Sequence, residues 1–462
     1  MKPMMITVFV ALSASAYAGP NTESLKIVPG DLAQNDHFGT SIAFSDGIVA
    51  VGARLHDEPT TNDGAAYLYN ASTGAQLLKL IVTDNFGGGN FGSSIALDMH
   101  ATPPLVVVGK DRDRENGIDS GSVYLFNASS GAFINKFAIG DGGDLFGTDV
   151  ATEDGMIVIG AMQNNESGSV TGRAFLIDAS TGVLAHTLEP DSPVTNSLFG
   201  NSVGISGNLV IVGARREPAV GSNSGVAYLF DATTGDQLAR IFPADGSFGD
   251  QFGYSVAISG HLAVISAIVD GDNGAGSGSV YIYDVSTPSV PVMIDKLLAP
   301  DGMPGDELGY RVDIQSTESG HRVVAGAWRR DEGADETGAV YVFDLNASGV
   351  LQSTSKLIAS DGSEDAFLGS AVAIDDTGNI AAGASDDNAS FSNGGAAYIF
   401  ELGTTTACPA DLNNDGSLNF FDVSAFLTAY QSQDPIADFN NDGLFNFFDV
   451  SAFLTAFNAG CP

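Results

Sequence analysis

Two stretches near the C-terminus set oxygen-bearing side chains at the spacing a divalent-cation loop requires. In the first, Asp411, Asn413, Asp415, Asn419 and Asp422 occupy loop positions 1, 3, 5, 9 and 12. Gly416 at position 6 permits the sharp turn, and Ser417 at position 7 would offer its backbone carbonyl. The pattern returns 27 residues on, at Asp438, Asn440, Asp442, Leu444 (through its carbonyl), Asn446 and Asp449, with Gly443 at the turn. Each loop carries three aspartates whose mutual repulsion a hard cation would offset, so two Ca2+ ions are expected. The competing reading, two Asn/Asp-rich turns without metal, must treat an in-register duplication as coincidence. An apolar stretch suited to a helix follows each loop, Val423 to Leu427 and Val450 to Leu454, whereas Cys408-Pro409-Ala410 leaves no room for a helix entering the first. Metal binding to so small a module is part of its folding energy.

Other reactive side chains are sparse. The only two cysteines, Cys408 and Cys461, bracket the loops, and in an exported chain such a pair is expected to close a disulfide contributing roughly 4 kcal/mol by loop entropy. The single tryptophan, Trp328, is followed by Arg329 and Arg330. An aromatic beside two guanidiniums could hold a sugar or an anionic group. Alternatively, Trp328 packs between structural elements while the arginines pair with local carboxylates. The six histidines lie far apart without metal-ligand spacing, and no phosphate loop, nucleophile elbow or His-Glu-x-x-His occurs. These residues point to binding or display rather than to catalysis.

Positioning them falls to a chain of 462 residues with 57 glycines, 56 acidic and 18 basic residues, a net charge of −38. Such a field repels nucleic acid and anionic membranes and favours cations or simple solubility outside the cell. Lys2, an apolar run from Met4 to Ala14 and Ala16-Tyr17-Ala18 read as a secretory signal over residues 1–18, so the mature protein is expected to be secreted or at the cell surface, without membrane insertion.

Between signal and tail, one unit recurs seven times. Phe-Gly or Leu-Gly stands at Phe38, Phe91, Phe146, Phe199, Phe252, Leu308 and Leu368, about 53 to 60 residues apart. Each copy opens four short apolar runs bounded by Gly, Asp, Asn or Ser, the second ending near Gly-Ala, as in Ile48 to Ala53. These are strands of an antiparallel meander. Asn-Ala-Ser at Asn70, Asn127 and Asn346 recurs at the turn between runs three and four, which is turn chemistry rather than glycosylation. Seven meanders arranged radially bury the faces that one alone cannot, which predicts a mainly β, seven-bladed propeller over residues 25–402. The last unit has three runs, and Leu25 to Val28 would supply its fourth and close the ring. The loops between runs two and three and the links between units share one face, are long and acidic, and are where binding is expected.

The Phe-Gly and Gly-Ala pairs resemble the FG-GAP repeats of integrin alpha-chain propellers and of many bacterial exported proteins. Integrin blades carry Asp-x-Asp-x-Asp-Gly loops between their first strands, but here those turns are as short as Ser45-Asp46-Gly47, so no calcium is implied in the blades. Residues 408–462 resemble a type I dockerin, a small helical calcium-binding domain built from a duplicated loop with only its exiting helix. The resemblance implies a protein partner, cohesin-like or on a cell surface, contacted by loop positions 10 and 11, here Phe420, Phe421, Phe447 and Phe448. The propeller face would take a polysaccharide or surface glycoprotein. Because dockerins accompany such enzymes, a carbohydrate-active enzyme or its accessory subunit is the alternative.

Overall fold

The computed structural model describes residues 23–462 apart from 59, 84–87, 164–169, 318–319, 333, 389–390, 403–409, 411, 413–417, 419, 433–436, 438, 440–444 and 460–462, and of residues 420–421 and 458–459 the backbone only. The chain divides into two units, Met1–Glu401 and Leu402–Pro462.

The first unit contains seven four-stranded antiparallel sheets among its described residues. In the first blade the strands are Phe38–Ser45, Ile48–Ala53, Ala65–Asn70 and Gln76–Leu80, innermost to outermost. The strand Leu25–Ile27 is the outermost member of the seventh sheet, with Leu25 opposite Ile399 and Ile27 opposite Ala397. Burial follows position in the blade. The second strand, Val49 to Ala53, and the third, Ala65 to Tyr69, are buried throughout, while Gln76 and Leu77 on the outermost strand are exposed. Middle strands flanked by a neighbouring blade on each side must be apolar on both faces, which is why they read as continuous rather than alternating apolar runs.

The recurring glycines are explained where blades meet. A Cβ on Gly52, of the first blade's Gly-Ala pair, would lie 2.1 Å from the carbonyl oxygen of Gly92, of the second blade's Phe-Gly pair. Gly92 also sits at φ 91°, a region L side chains rarely adopt. The same apposition joins Gly109 to Gly147, Gly160 to Gly200, Gly213 to Gly253, Gly326 to Gly369 and, across the chain ends, Gly383 to Gly39. A parallel bridge accompanies every junction, including Phe38 with Gly395 between the first and seventh blades. The Phe of each pair is fully buried, and Phe38, Phe91, Phe199 and Phe252 each meet a tyrosine of their own blade edge-on, at 5.3–5.7 Å.

Turn chemistry accounts for the short loops. Asp46 and Gly47 both have positive φ, 51° and 69°, as a two-residue hairpin turn demands. The Asn70 and Asn127 side chains accept hydrogen bonds from the backbone N–H of Thr73 and Ser130, each at 2.9 Å. In the second unit two helices, α1 (Phe420–Ser432) and α2 (Phe447–Ala459), pack around Ala410, Phe426, Ala437 and Phe453. Among the described residues no helix is long and apolar enough to cross a membrane.

Candidate functional site

Three places gather polar or ring-bearing side chains: the tail loops, the rim of each blade, and the central channel with its mouth. Of the twelve expected cation ligands, Asp422, Asn446 and Asp449 are described. Asp411, Asn413, Asp415, Ser417, Asn419, Asp438, Asn440, Asp442 and Leu444 lie outside the described residues, as do Cys408 and Cys461 and the side chains of Phe420 and Phe421. Asp422 and Asp449 are fully buried at the third position of α1 and α2. Asn446 caps α2: its side-chain oxygen accepts the Phe448 N–H at 2.8 Å, and Asp449 returns the favour by accepting the Asn446 N–H at 2.8 Å. Loop positions 9 and 12 are therefore also a helix N-cap and its reciprocal partner. Residues 402–462 contain seven aspartates and no lysine, arginine or histidine, so no basic side chain within this unit can compensate a buried carboxylate. An all-oxygen donor set of that kind fits Ca2+. Phe447 and Phe448 are 75% and 67% exposed, and Leu427 and Leu454, equivalent positions in the two halves, are also exposed.

On the propeller, most acidic loop residues have local partners. The outermost strand of a blade sets one basic residue opposite a tyrosine of the third strand: Lys79 with Tyr67, Lys136 with Tyr124, Arg240 with Tyr228, Lys296 with Tyr281, Lys356 with Tyr341 and Lys26 with Tyr398. Loop or link carboxylates complete each cluster. In the fifth blade Lys296 Nζ lies 2.9 Å from both Asp270 and Asp245, and the Tyr281 hydroxyl donates to Asp270 at 3.0 Å. Burial opposes the Lys296 charge, yet its hydrogen bonds to Asp272, Tyr281, Asp270 and Asp245 hold its pKa above the ordinary lysine value. In the seventh blade Lys26 and Tyr398 share Asp387, at 3.2 and 2.8 Å. The third blade replaces the pair with Phe175 opposite Thr187. In the first blade Asp31, His56 and Glu58 lie close enough together to ligate a metal, but Lys79 Nζ already binds all three, with 2.5 Å to Asp31 and 3.0 Å to His56 Nε2. A second trio, Asp46, His100 and Asp376, is exposed, with His100 Nε2 3.6 Å from Asp376.

The innermost strands enclose a channel of about 460 Å³. Polar side chains on its wall stitch neighbouring blades: Asp149 accepts the Val203 N–H at 2.9 Å, Ser202 the Val256 N–H at 3.1 Å, Ser255 the Val312 N–H at 3.1 Å and Asp313 the Ile374 N–H at 3.0 Å. Burial pushes the Asp313 carboxyl up to about 6, against the opposing hydrogen bonds from Ile374 and Ile314. Where the innermost strands begin, at the same end as the long loops, Trp328 stacks on Tyr310 with centroids 4.3 Å apart and meets Phe367 at 4.8 Å. Its indole N–H donates to Glu307 at 2.8 Å. Arg329 stays with Trp328, its guanidinium 5.0 Å from the ring. Arg330 does not: it is buried and bonds Asp306 at 2.9 Å, Glu332 at 3.0 Å and Asp301 at 3.2 Å. The structure thus keeps two of the three residues together at the channel mouth and commits the third to the blade. Tyr254 and Arg215, which complete the mouth with Tyr310, escaped sequence reasoning because they come from the fifth and fourth blades, and Tyr310 because it enters from the start of the sixth blade rather than from beside Trp328, although Tyr254 and Tyr310 both stand one residue after a Phe-Gly or Leu-Gly pair.

Seven closed blades with a loop-bearing face define a propeller module of the binding or adhesion type. The chain belongs to the FG-GAP repeat family: the model described as FG-GAP repeat matches residues 22–69, 75–126, 186–230, 236–283, 292–343 and 352–400. Each match starts around an outermost strand and runs through the first three strands of the following blade, and the first takes Leu25–Ile27 together with the first blade. No curated protein matches the chain.

Proposed function

We propose that the protein is an exported, non-catalytic binding or display module whose propeller presents its loop face to a glycan or surface glycoprotein. Its calcium-loaded, dockerin-like tail docks a protein partner, cohesin-like or on a cell surface. The observation that carries this reading is the tail itself: seven aspartates without a base, two of them buried at equivalent helix positions. Exposed Phe447, Phe448, Leu427 and Leu454 supply an apolar face for the partner. The rim clusters support a rigid scaffold, because they consume acidic residues that a glycosidase would need free. In the same reading residues 1–18 direct export, the Cys408–Cys461 disulfide clasps the tail, and the N-terminal strand latches the ring.

The test is calcium stoichiometry of the intact protein by calorimetry. Two ions per chain are expected, one after Asp449→Asn, which keeps an acceptor for the Asn446 N–H and so preserves α2. Absence of calcium uptake by the wild-type chain overturns the tail assignment.

A further inference from the structure

Among the described residues, the channel mouth holds positive charge with no carboxylate in ion-pair contact. Arg215, Arg216 and Arg311 form no ion pair among the described residues, whereas Arg240, Arg322 and Arg330 each bond a carboxylate at 3.0 Å or less. The Arg215 guanidinium lies 4.8 Å over the Tyr254 ring, and that of Arg311 5.4 Å over Tyr310. The two tyrosines are 5.4 Å apart, so with Trp328 they form one row of half-buried rings. Arg215 Nε is buried and has no hydrogen-bond partner among the described residues. Burial first, then repulsion from Arg216 and Arg311, lowers the pKa of Arg215 against the favourable field of Tyr254. Asp149 attracts Arg311 from the channel wall but is bonded to the Val203 N–H and is not in ion-pair contact with it. At the Trp328 end of the row Arg329 lies 3.7 Å from Glu307 and 3.8 Å from Glu336, so among the described residues the uncompensated charge lies over the Tyr254 and Tyr310 rings.

Beside Arg216 opens a cavity of about 400 Å³ lined by Asn196, Arg216, Asn223, Gly249 and Gln251. It places three amide-bearing residues next to an exposed guanidinium. Amides and guanidinium suit hydroxyls and a carboxylate. The Tyr254 ring, which follows Gln251 by three residues and lies under Arg215, the neighbour of Arg216 in sequence, suits the apolar face of a pyranose. A chain of net charge −38 disfavours long polyanions, but a single negative group at a locally cationic spot is compatible with it.

We propose that the mouth formed by Arg215, Arg216, Arg311, Tyr254, Tyr310 and Trp328 binds a carboxylated sugar residue, a uronate carried on an otherwise neutral glycan. This deepens the binding-module reading and rests on it. The carboxylate is held at the arginines, and the sugar ring stacks on the tyrosine row.

Trp328 is the only tryptophan, so its fluorescence reports on this site alone. The intact protein is titrated with a glucuronate-terminated oligosaccharide and, separately, with the same oligosaccharide ending in glucose, while calorimetry records total binding. Saturable change in Trp328 emission with the acidic sugar, at least tenfold weaker response to the neutral one, and at least tenfold weaker binding in Arg216→Gln would support the site. Arg216 is exposed, so this variant is expected to fold; Arg215→Lys, which keeps the charge but not the planar fork, gives an independent second measurement. Heat of binding without a change in emission, or binding undiminished by both substitutions, overturns this site while leaving the module a glycan binder. No binding of either sugar overturns the uronate proposal, and a neutral-glycan panel then decides the broader reading.

Discussion

The rings of Phe426 and Phe453, 27 residues apart, lie face to face with centroids 4.2 Å apart and planes 5° from parallel. They occupy the same position in the two copies of the loop–helix unit, four residues beyond the buried Asp422 and Asp449. The two halves thus share one core at their point of equivalence, with Phe439 packing edge-on to both rings at 6.1 and 5.5 Å. Neither half can bury its phenylalanine without the other.

From that sharing it follows that Phe426→Ala and Phe453→Ala should have matching effects. Each leaves a cavity in a very small core, at a cost of about 3–5 kcal/mol, which so small a module cannot absorb. Loss of the tail's amide protection in hydrogen exchange, with the propeller's unchanged, is the expected readout. If one substitution spares the tail while the other unfolds it, the two halves do not share their core.

The rim clusters predict an asymmetry between breaking a charge group and replacing it. Lys296→Met leaves Asp270, with a side chain only 5% exposed, beside Asp245 and Asp272 without a cation. The cost is expected to be about 2–3 kcal/mol in urea unfolding, below the full value for a buried pair because Asp245 and Asp272 reach solvent. The triple variant Asp270→Asn, Tyr281→Phe, Lys296→Thr should cost less than Lys296→Met alone. It imitates the third blade, which has Phe175, Thr187 and, three residues beyond Ala161, the neutral Asn164. A triple variant less stable than the single one would show that the cluster is more than mutual neutralisation.

How much of this could be read beforehand depends on how local the signal is. The blades were legible because Phe-Gly and Gly-Ala are contiguous pairs forced by backbone apposition, as Gly52 on Gly92 shows. The rim clusters were not, although a base precedes the last apolar residue of six outer strands, as in Lys79-Leu80 and Lys296-Leu297. Their members sit on a third strand, a fourth strand and a loop, and only cross-strand register joins them. The acidic loops therefore read as an open binding face when much of their charge is spent internally. At the mouth the same limit applies. Trp328, Arg329 and Arg330 are adjacent in sequence, but Arg330 turns inward to Asp306 while Tyr310 and Tyr254 arrive from distant positions.

The N-terminal strand should behave as a separable latch. Ile27 is buried against the seventh blade, and Lys26 pairs with Asp387, whose side chain is 1% exposed. Deleting residues 23–28 uncovers the edge of Ala396–Phe400 and strands that carboxylate, at a cost on the order of 4 kcal/mol or more. A synthetic peptide spanning residues 22–29, added in trans, should restore much of the lost melting temperature. A deletion variant as stable as the parent would remove the strand from any role in closure.

Asp313 gives the ring a pH response of unusual sign. Its carboxylate accepts the N–H groups of Ile374 and Ile314 at 3.0 and 2.8 Å, yet burial raises its pKa from 3.8 to about 6. Between those values the folded state holds a proton that the unfolded chain has released, so this group's contribution to stability is present at low pH and lost as pH rises toward about 6. The shift corresponds to on the order of 2–3 kcal/mol. Paired carboxylates such as Asp245, lowered by Lys296 against the effect of burial, act oppositely: their contribution is present above the unfolded pKa and lost as pH falls through the folded one. Comparing wild type with Asp313→Asn removes that background. The variant loses one acceptor and gains freedom from ionisation, so it should be less stable than wild type near pH 4 and should close or reverse the gap by pH 7. Parallel stability curves from pH 4 to pH 7 would mean that Asp313 is ionised throughout and that the channel is wetter than its geometry implies.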